Sequence, residues 1–339
     1  MYVRVAVNVP TDKIFSYAVP KALEKKAMIG KRVSAHFGRR VVTGYIVEIL
    51  HTADVDNIKE ISEILDPEPL FGEEDLLFYR WISRYYLYPL GKTLFEVLPG
   101  GSDLSQFCPK KERIVSLDAE YLLRDIRLTD RQEQMVNFLL KSGDTFISSL
   151  RGEFKNAAYL VRCLQEKGVL RIEERDVYRS SRALPPIEEI NSPVLLNGDQ
   201  EAAVCKILQG LASKRFSPYL LHGVTGSGKT EVYFKAMEKT RESGGGVIFL
   251  VPEISLTPQI ISRIRARFRD QEIALIHSGV SRSVRYDQWR RIQKGEVKIA
   301  IGARSALFVP MRDLRLVIVD EEHDNSYKQD ERLRYNARD

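Results

Sequence analysis

PYLLHGVTGSGKTEVYFKAMEK, residues 218–239, decides the fold. A short aliphatic run that reads as a strand gives way to a glycine-rich turn, and a helical pattern follows at once. Gly223, Gly226 and Gly228 free the backbone to wrap, so that the amides of Gly223, Val224, Thr225, Gly226, Ser227 and Gly228 face a phosphate, with the helix N-terminus adding its positive end. Lys229 has the length to reach terminal phosphates, and the Thr230 hydroxyl suits Mg²⁺. Glycine-rich turns are common by themselves. Strand, loop, lysine, hydroxyl and helix in this order indicate a P-loop for ATP.

Downstream, the aliphatic runs VIFLVPE (247–253), IALIHSG (273–279), VKIAIGA (297–303) and LRLVIVDEEH (314–323) alternate with polar helical stretches. Near-continuous aliphatic strands between helices predict a parallel sheet covered on both faces, with the P-loop strand in it. The last run delivers Asp320, Glu321, Glu322 and His323 at a strand's C-terminal end, where open parallel sheets hold ligands. Asp320 is expected to hold the Mg²⁺ shell and Glu321 to polarise the attacking water, so Lys229, Asp320 and Glu321 form the expected catalytic set. The competing reading of the carboxylates is a solvated strand end.

Upstream, SRALPPIEEINSP (181–193) has a linker's composition. Residues 106–180 present a helix capped by Thr129, a second helix ended by Gly168, and strand-like RIEERDVYR. That order is a winged helix's, or else a small helical spacer. Residues 1–105 begin with alternating runs YVRVAVNV, IFSYAV, KRVSAHFG and VVTGYIVEIL, with Gly30, Gly38 and Gly44 at expected turns, followed by a helix over 73–88. This reads as a small antiparallel sheet or barrel with a helix on it.

The chain has 339 residues, 44% hydrophobic and 29% charged, enough for two or three cores. Lys+Arg of 52 against Asp+Glu of 46 gives a net charge of +6, which favours a polyanionic partner without specifying one. No signal-peptide run or bilayer-length apolar stretch is legible, so a cytoplasmic protein is expected. Cys108, Cys163 and Cys205 are far apart, without zinc-site spacing.

Together the motifs carry a resemblance. DEEH after GSGKT resembles superfamily-two helicases. LNGDQ (196–200), LVPEISLTPQ (250–259), HSG (277–279), IGARSALFVP (301–310) and DEEHDNSYKQDERLRYNARD (320–339) resemble the PriA family of replication-restart helicases, as do Phe15, Tyr17, Arg32, Val33, Phe37, Gly38 and Gly44. The fold implied is α/β and α+β multidomain: a β-rich DNA 3′-end-binding domain over 1–105, a winged-helix domain over 106–180, a linker, and a first RecA-like lobe over 194–339.

By position, the resemblance implies adenine contact by Gln200 and a single-strand path along Glu253, Leu256, Thr257, Gly302, Arg304 and Ser305. It also implies an aromatic-rich loop with Tyr327 and Tyr335, and a pocket for a DNA 3′ end made by Phe15, Ser16, Tyr17, Gly38 and Lys59. Leu333 stands where the family usually has a larger aromatic. Ser16 stands where relatives place an aspartate, so a weakened preference for a 3′-hydroxyl end is expected. Forked and single-stranded DNA, other primosome proteins and single-strand-binding protein are the implied partners of a nucleoid-associated monomer. The second motor lobe and the family's zinc ligands are not expected within these 339 residues, so the alternative for the chain alone is a DNA-structure-binding module without helicase activity.

Overall fold

The computed structural model describes residues 1–52, 58–99, 110–119, 121, 126–177, 195–252, 258–268, 273–276 and 279–339. The linker expected at 181–193, the path residues Glu253, Leu256 and Thr257, and Cys108 lie outside the described residues. The chain forms two compact units, one of residues 1–107 with 180–339 and one of residues 108–179.

In the larger unit, β1 (Tyr2–Val7), β2 (Phe15–Ala18), β3 (Arg32–Phe37), β4 (Arg40–Leu50) and β5 (Ile61–Ile64) form an antiparallel sheet in the order β2-β1-β4-β3-β5. A single parallel bridge between Ala18 and Glu60 joins its outer strands and closes it into a barrel. The strand alternation read from the sequence is explained by the interior, where Val3, Val5, Val7, Tyr17, Val33 and Ala35 pack together. Gly30 and Gly38 do sit at turns with positive φ. Gly44 does not: it lies inside β4, paired with Val7 on one side and Val33 on the other. A Cβ there would come within 2.4 Å of the Val5 side chain, so the glycine makes room for packing and no turn is needed.

Two helices, α1 (Glu73–Tyr85) and α2 (Leu90–Val97), follow the barrel. The first starts where the Asp75 carboxylate accepts from the Gly72 amide at 2.9 Å. Their apolar residues Leu76, Tyr79, Ile82, Leu94 and Phe95 join Tyr45, Leu70 and Phe71 in a core that continues into the C-terminal residues through Ile248, Leu250, Tyr286, Trp289 and Phe308.

The C-terminal part of this unit contains α6 (Gly198–Ala212), α7 (Lys229–Glu242), β9 (Gly246–Leu250), α8 (Pro258–Arg267), β10 (Ile273–Ile276), α9 (Arg282–Gln293), β11 (Ile299–Gly302) and β12 (Leu314–Val319). The strands form a parallel sheet in the order β10-β11-β9-β12. One expectation fails here. Residues 218–222, read as the P-loop strand, join no ladder, and Leu220 is 78% exposed. An aliphatic run becomes a strand only if an edge accepts it. Here the Tyr219 ring instead rests on Gly210 of α6, where an added Cβ would come within 2.5 Å of the phenol oxygen. The outer edge of β12 is consequently unpaired among the described residues, with Val317 45% exposed, so the sheet is not fully covered.

The smaller unit places β6 (Lys110–Leu117) before α3 (Asp130–Ser142), β7 (Thr145–Phe146), α4 (Ile147–Glu153), α5 (Ala157–Glu166) and β8 (Leu170–Val177). Its sheet order is β7-β6-β8, and Met135, Val136, Leu139, Leu150, Val161 and Leu164 pack against Val115. Two of its helices match the sequence reading. The strand-like segment after Gly168 pairs with β6, whose charged sequence KKERIVSL gave no strand signal.

Candidate functional site

The P-loop wraps the start of α7. Gly226 and Gly228 adopt φ of +79° and +80°, conformations that a side chain would strain. Gly228 also leaves room for Gln200, whose amide nitrogen would lie 2.4 Å from an added Cβ. Gln200 takes two roles: its side-chain oxygen accepts from the Asn197 amide at 2.9 Å, closing the cap of α6, and its side-chain nitrogen donates to the Ser227 carbonyl at 3.1 Å. Lys229 folds back and donates to the carbonyl oxygens of Gly223 at 2.8 Å and Val224 at 3.4 Å.

Asp320 follows the C-terminal end of β12, with its amide bonded to the Leu250 carbonyl at 2.9 Å. Burial pushes its carboxyl above the usual carboxylate range. The charge of adjacent Glu321 acts in the same direction, while the nearby Lys229 charge and a hydrogen bond from Tyr233 partly oppose them. Lys229 and Asp320 are therefore near enough to sense one another across the P-loop. Thr230, on the first turn of α7, is half-buried, and Glu321 is held at φ +46°. A hydroxyl and carboxylates are hard oxygen donors, so these residues fit Mg²⁺, and the loop's open turn fits a phosphate chain.

Behind this edge lies the loop after DEEH. Tyr327 is fully buried, and its hydroxyl donates to the carbonyls of Asp320 and Leu250, at 2.5 and 3.2 Å. Tyr335 is also buried, edge-on to Phe308 with ring centroids 4.8 Å apart. Both rings are thus buried in this structure. They act as pegs that hold the loop against the strand ends. Leu333 is buried with them. Arg304, in a 3-10 turn after β11 that also contains Ser305, donates to the carbonyls of Ser326 and Lys328 at 2.8 and 2.9 Å, tying the two loops together.

In the N-terminal sheet, Phe15 packs edge-on to Phe37 at 5.0 Å, and the buried Tyr17 donates from its hydroxyl to the His36 carbonyl at 3.1 Å. Both aromatics support the barrel. Lys59 donates to the Gly38 carbonyl at 3.2 Å, bringing these two expected pocket residues together. Ser16 lies opposite Arg4 in the β1–β2 ladder.

Residues 4–99 match the 3′DNA-binding domain of PriA, and residues 197–338 match the DEAD/DEAH box helicase family. The replication restart protein PriA of Bacillus subtilis is 30% identical over the whole of this chain. The chain belongs to the PriA family. PriA of Chlamydia pneumoniae is 36% identical across 100% of the chain and PriA of Haemophilus influenzae 34% across 99%. The chain spans about half the length of these relatives, 51%, 46% and 46% respectively. A helicase domain of this kind implies ATP use, generally with Mg²⁺, in agreement with the P-loop geometry. No metal-binding cluster of His, Cys, Asp and Glu occurs among the described residues, and no described helix is long and apolar enough to cross a membrane.

Two features of this PriA-family chain were not read from its sequence. Tyr233 of α7 reaches the Asp320 carboxyl, and burial, with the charge of that carboxylate acting in the same direction, pushes its phenol pKa upward. His36 lines a groove with Lys59 on the barrel surface. The spacing of Tyr233 four residues after Lys229 was the available signal for the first, since i and i+4 share a helix face.

Proposed function

We propose that this chain binds Mg²⁺-ATP and forked DNA as the front part of a replication-restart helicase, one that unwinds DNA 3′ to 5′ and promotes reloading of the replicative helicase. The observation that carries the reading is that Lys229, on the first turn of α7, lies near enough to Asp320 after β12 to act on its charge, in the same compact unit as a barrel that matches a 3′DNA-binding domain. In this reading the P-loop amides and Lys229 hold the phosphates, Thr230 and Asp320 hold the cation, Glu321 orients water, and Gln200 meets adenine. Thr257, Arg304 and Ser305 line the single-strand path. Residues 106–180 act as a winged helix, and Phe15, Ser16, Tyr17, Gly38 and Lys59 surround a strand's 3′ end. Single-strand-binding protein and other primosome proteins are the proposed partners.

For these 339 residues alone, one observation favours the second reading, a DNA-binding module that holds nucleotide without doing work. The segment entering the P-loop is unladdered, so the loop is held by α7 and by the Gln200 side chain of α6 but by no strand on its entering side. A phosphate cradle held on one side is poorly preorganised for transition-state charge. DNA-stimulated ATP turnover of the chain separates the two. Turnover that rises strongly on adding forked DNA supports an active motor, whereas nucleotide binding with no stimulated turnover supports the module.

A further inference from the structure

The backbone of Asp320 is held from two sides. Its amide donates to the Leu250 carbonyl at 2.9 Å, and its own carbonyl accepts the Tyr327 hydroxyl, which also lies 3.2 Å from the Leu250 oxygen. These contacts leave the side chain free, since rotation about its two torsions swings a carboxylate without moving the backbone. Two further donors reach that carboxyl, the backbone amide of Glu321 and the hydroxyl of Tyr233. The amide belongs to the next residue and moves with the strand end. The hydroxyl comes from a different element, α7.

Tyr233 stands four residues after Lys229 and three after Thr230, so both neighbour it on the surface of α7. Its ring packs edge-on against Phe249 of β9, with centroids 6.0 Å apart, and Phe249 lies opposite Ile318 in the β9–β12 ladder, two residues before Asp320. That packing needs the ring and not the hydroxyl, so a phenylalanine fills the same place. Burial pushes the phenol pKa up, so at neutral pH the group keeps its proton and donates to the carboxylate.

We infer that Tyr233 is a positioning residue whose hydroxyl orients the Asp320 carboxylate for the Mg²⁺ that accompanies ATP. The inference rests on the proposed Mg²⁺-ATP reading and adds the group that sets the orientation of its acidic ligand. A carboxylate has two oxygens, and a hydroxyl held on one restrains the group while leaving the other to the cation's shell. When the hydroxyl is removed, Asp320 keeps its charge and the Glu321 amide but loses its partner on α7. Ordering the side chain then falls to the cation, at the expense of affinity. With Lys229, Thr230 and Tyr233 on one helix, phosphate, cation and carboxylate are aligned in a single frame.

The test measures ATP affinity by calorimetry on the 339-residue chain, once in saturating Mg²⁺ and once in EDTA. By linkage, the ratio of the two reports how much better the bound nucleotide holds Mg²⁺ than free ATP does. Both values come from one preparation, so a misfolded fraction alters the stoichiometry and leaves the ratio alone. Tyr233→Phe is expected to lower the ratio roughly tenfold or more, the usual loss when a metal ligand's hydrogen-bond partner is removed. Asp320→Asn should lower it as well, and the double variant should fall no further than Asp320→Asn alone, because the hydroxyl then has no carboxylate to orient. A ratio unchanged in Tyr233→Phe but lowered in Asp320→Asn overturns the inference and leaves the cation site intact. A double variant in which the two losses multiply does the same. A wild type with no preference for Mg²⁺, or a ratio that Asp320→Asn does not change, removes the Mg²⁺ reading and the inference with it.

Discussion

Arg32 and Asp66 lie at the base of the barrel with about 1% of each side chain exposed, and the guanidinium Nε and the Arg32 amide both donate to one Asp66 oxygen, at 2.8 and 2.9 Å. A buried pair of this kind contributes little over an apolar alternative, but breaking it strands a charge. Asp66→Ala is expected to cost about 3–5 kcal/mol, read from urea unfolding. At the nucleotide edge the sign is reversed. Asp320 has its pKa raised in the folded chain, so folding favours its neutral form. That stabilising contribution is present at low pH and is lost as pH rises through the folded pKa. Asp320→Asn should therefore leave the thermal midpoint of the nucleotide-free chain at pH 7 equal or higher, while abolishing the further rise that Mg²⁺-ATP gives the wild type. A lowered midpoint without nucleotide would show that the carboxylate is structural. Lys229→Ala should weaken ATP binding by calorimetry with an unchanged melt, since among the described residues its hydrogen-bond partners are the carbonyls of its own loop.

Among the elements, β11 shows how a strand's end is fixed by its neighbour. A Cβ on Gly302 would lie 1.9 Å from the Ile276 carbonyl oxygen at the end of β10, and backbone on backbone cannot yield. Gly302→Ala is expected to open the β10–β11 pairing and to lower stability by several kcal/mol, on the order of other severe overpacking, detectable as lost amide protection at Ile276 and Ile301. The helix α7 is tied to α8 in a different manner. Both oxygens of Glu231, 8% exposed, accept from Arg263 and Arg267 at 2.7 and 2.6 Å, and both guanidinium groups lie over the Phe234 ring. These contacts explain why a helix with a polar sequence is buried on one face.

Over the whole molecule, the barrel and the motor sheet share a core. Arg290 of α9, 4% exposed, donates to the carbonyls of Glu68 and Pro69 at 2.9 and 2.7 Å and to the Tyr286 hydroxyl at 3.1 Å, and the Trp289 indole donates to the Leu70 carbonyl at 3.1 Å. Tyr86 completes a second tie. Its hydroxyl bonds the Asp339 carboxylate at 2.7 Å, and burial with that neighbour pushes its pKa up to about 12. Arg290→Ala removes the donors that reach the Glu68 and Pro69 carbonyls and the Tyr286 hydroxyl, and is expected to lower the unfolding midpoint of barrel and sheet together, seen as coincident transitions in fluorescence and far-ultraviolet circular dichroism. Separate transitions would mean that the shared core is not cooperative.

What the sequence determined by itself was everything local. Glycine spacing before Lys229 specified the phosphate loop, alternating valines specified the barrel strands, and a run of aliphatic residues ending in DEEH placed Asp320 at a strand's end. Local pattern carries these because backbone conformation and side-chain period are set within a few residues. The tertiary structure alone decided whether the run at 218–222 found an edge to pair with, whether charged β6 was recruited as a strand by β7 and β8, and whether Tyr17, Tyr327 and Tyr335 faced outward or became buried pegs. It also joined the barrel to the motor sheet through Arg290 and placed His36 beside Lys59. Each of these depends on contacts between residues distant in the chain, and ladder pairing and burial are properties of the partner as much as of the segment.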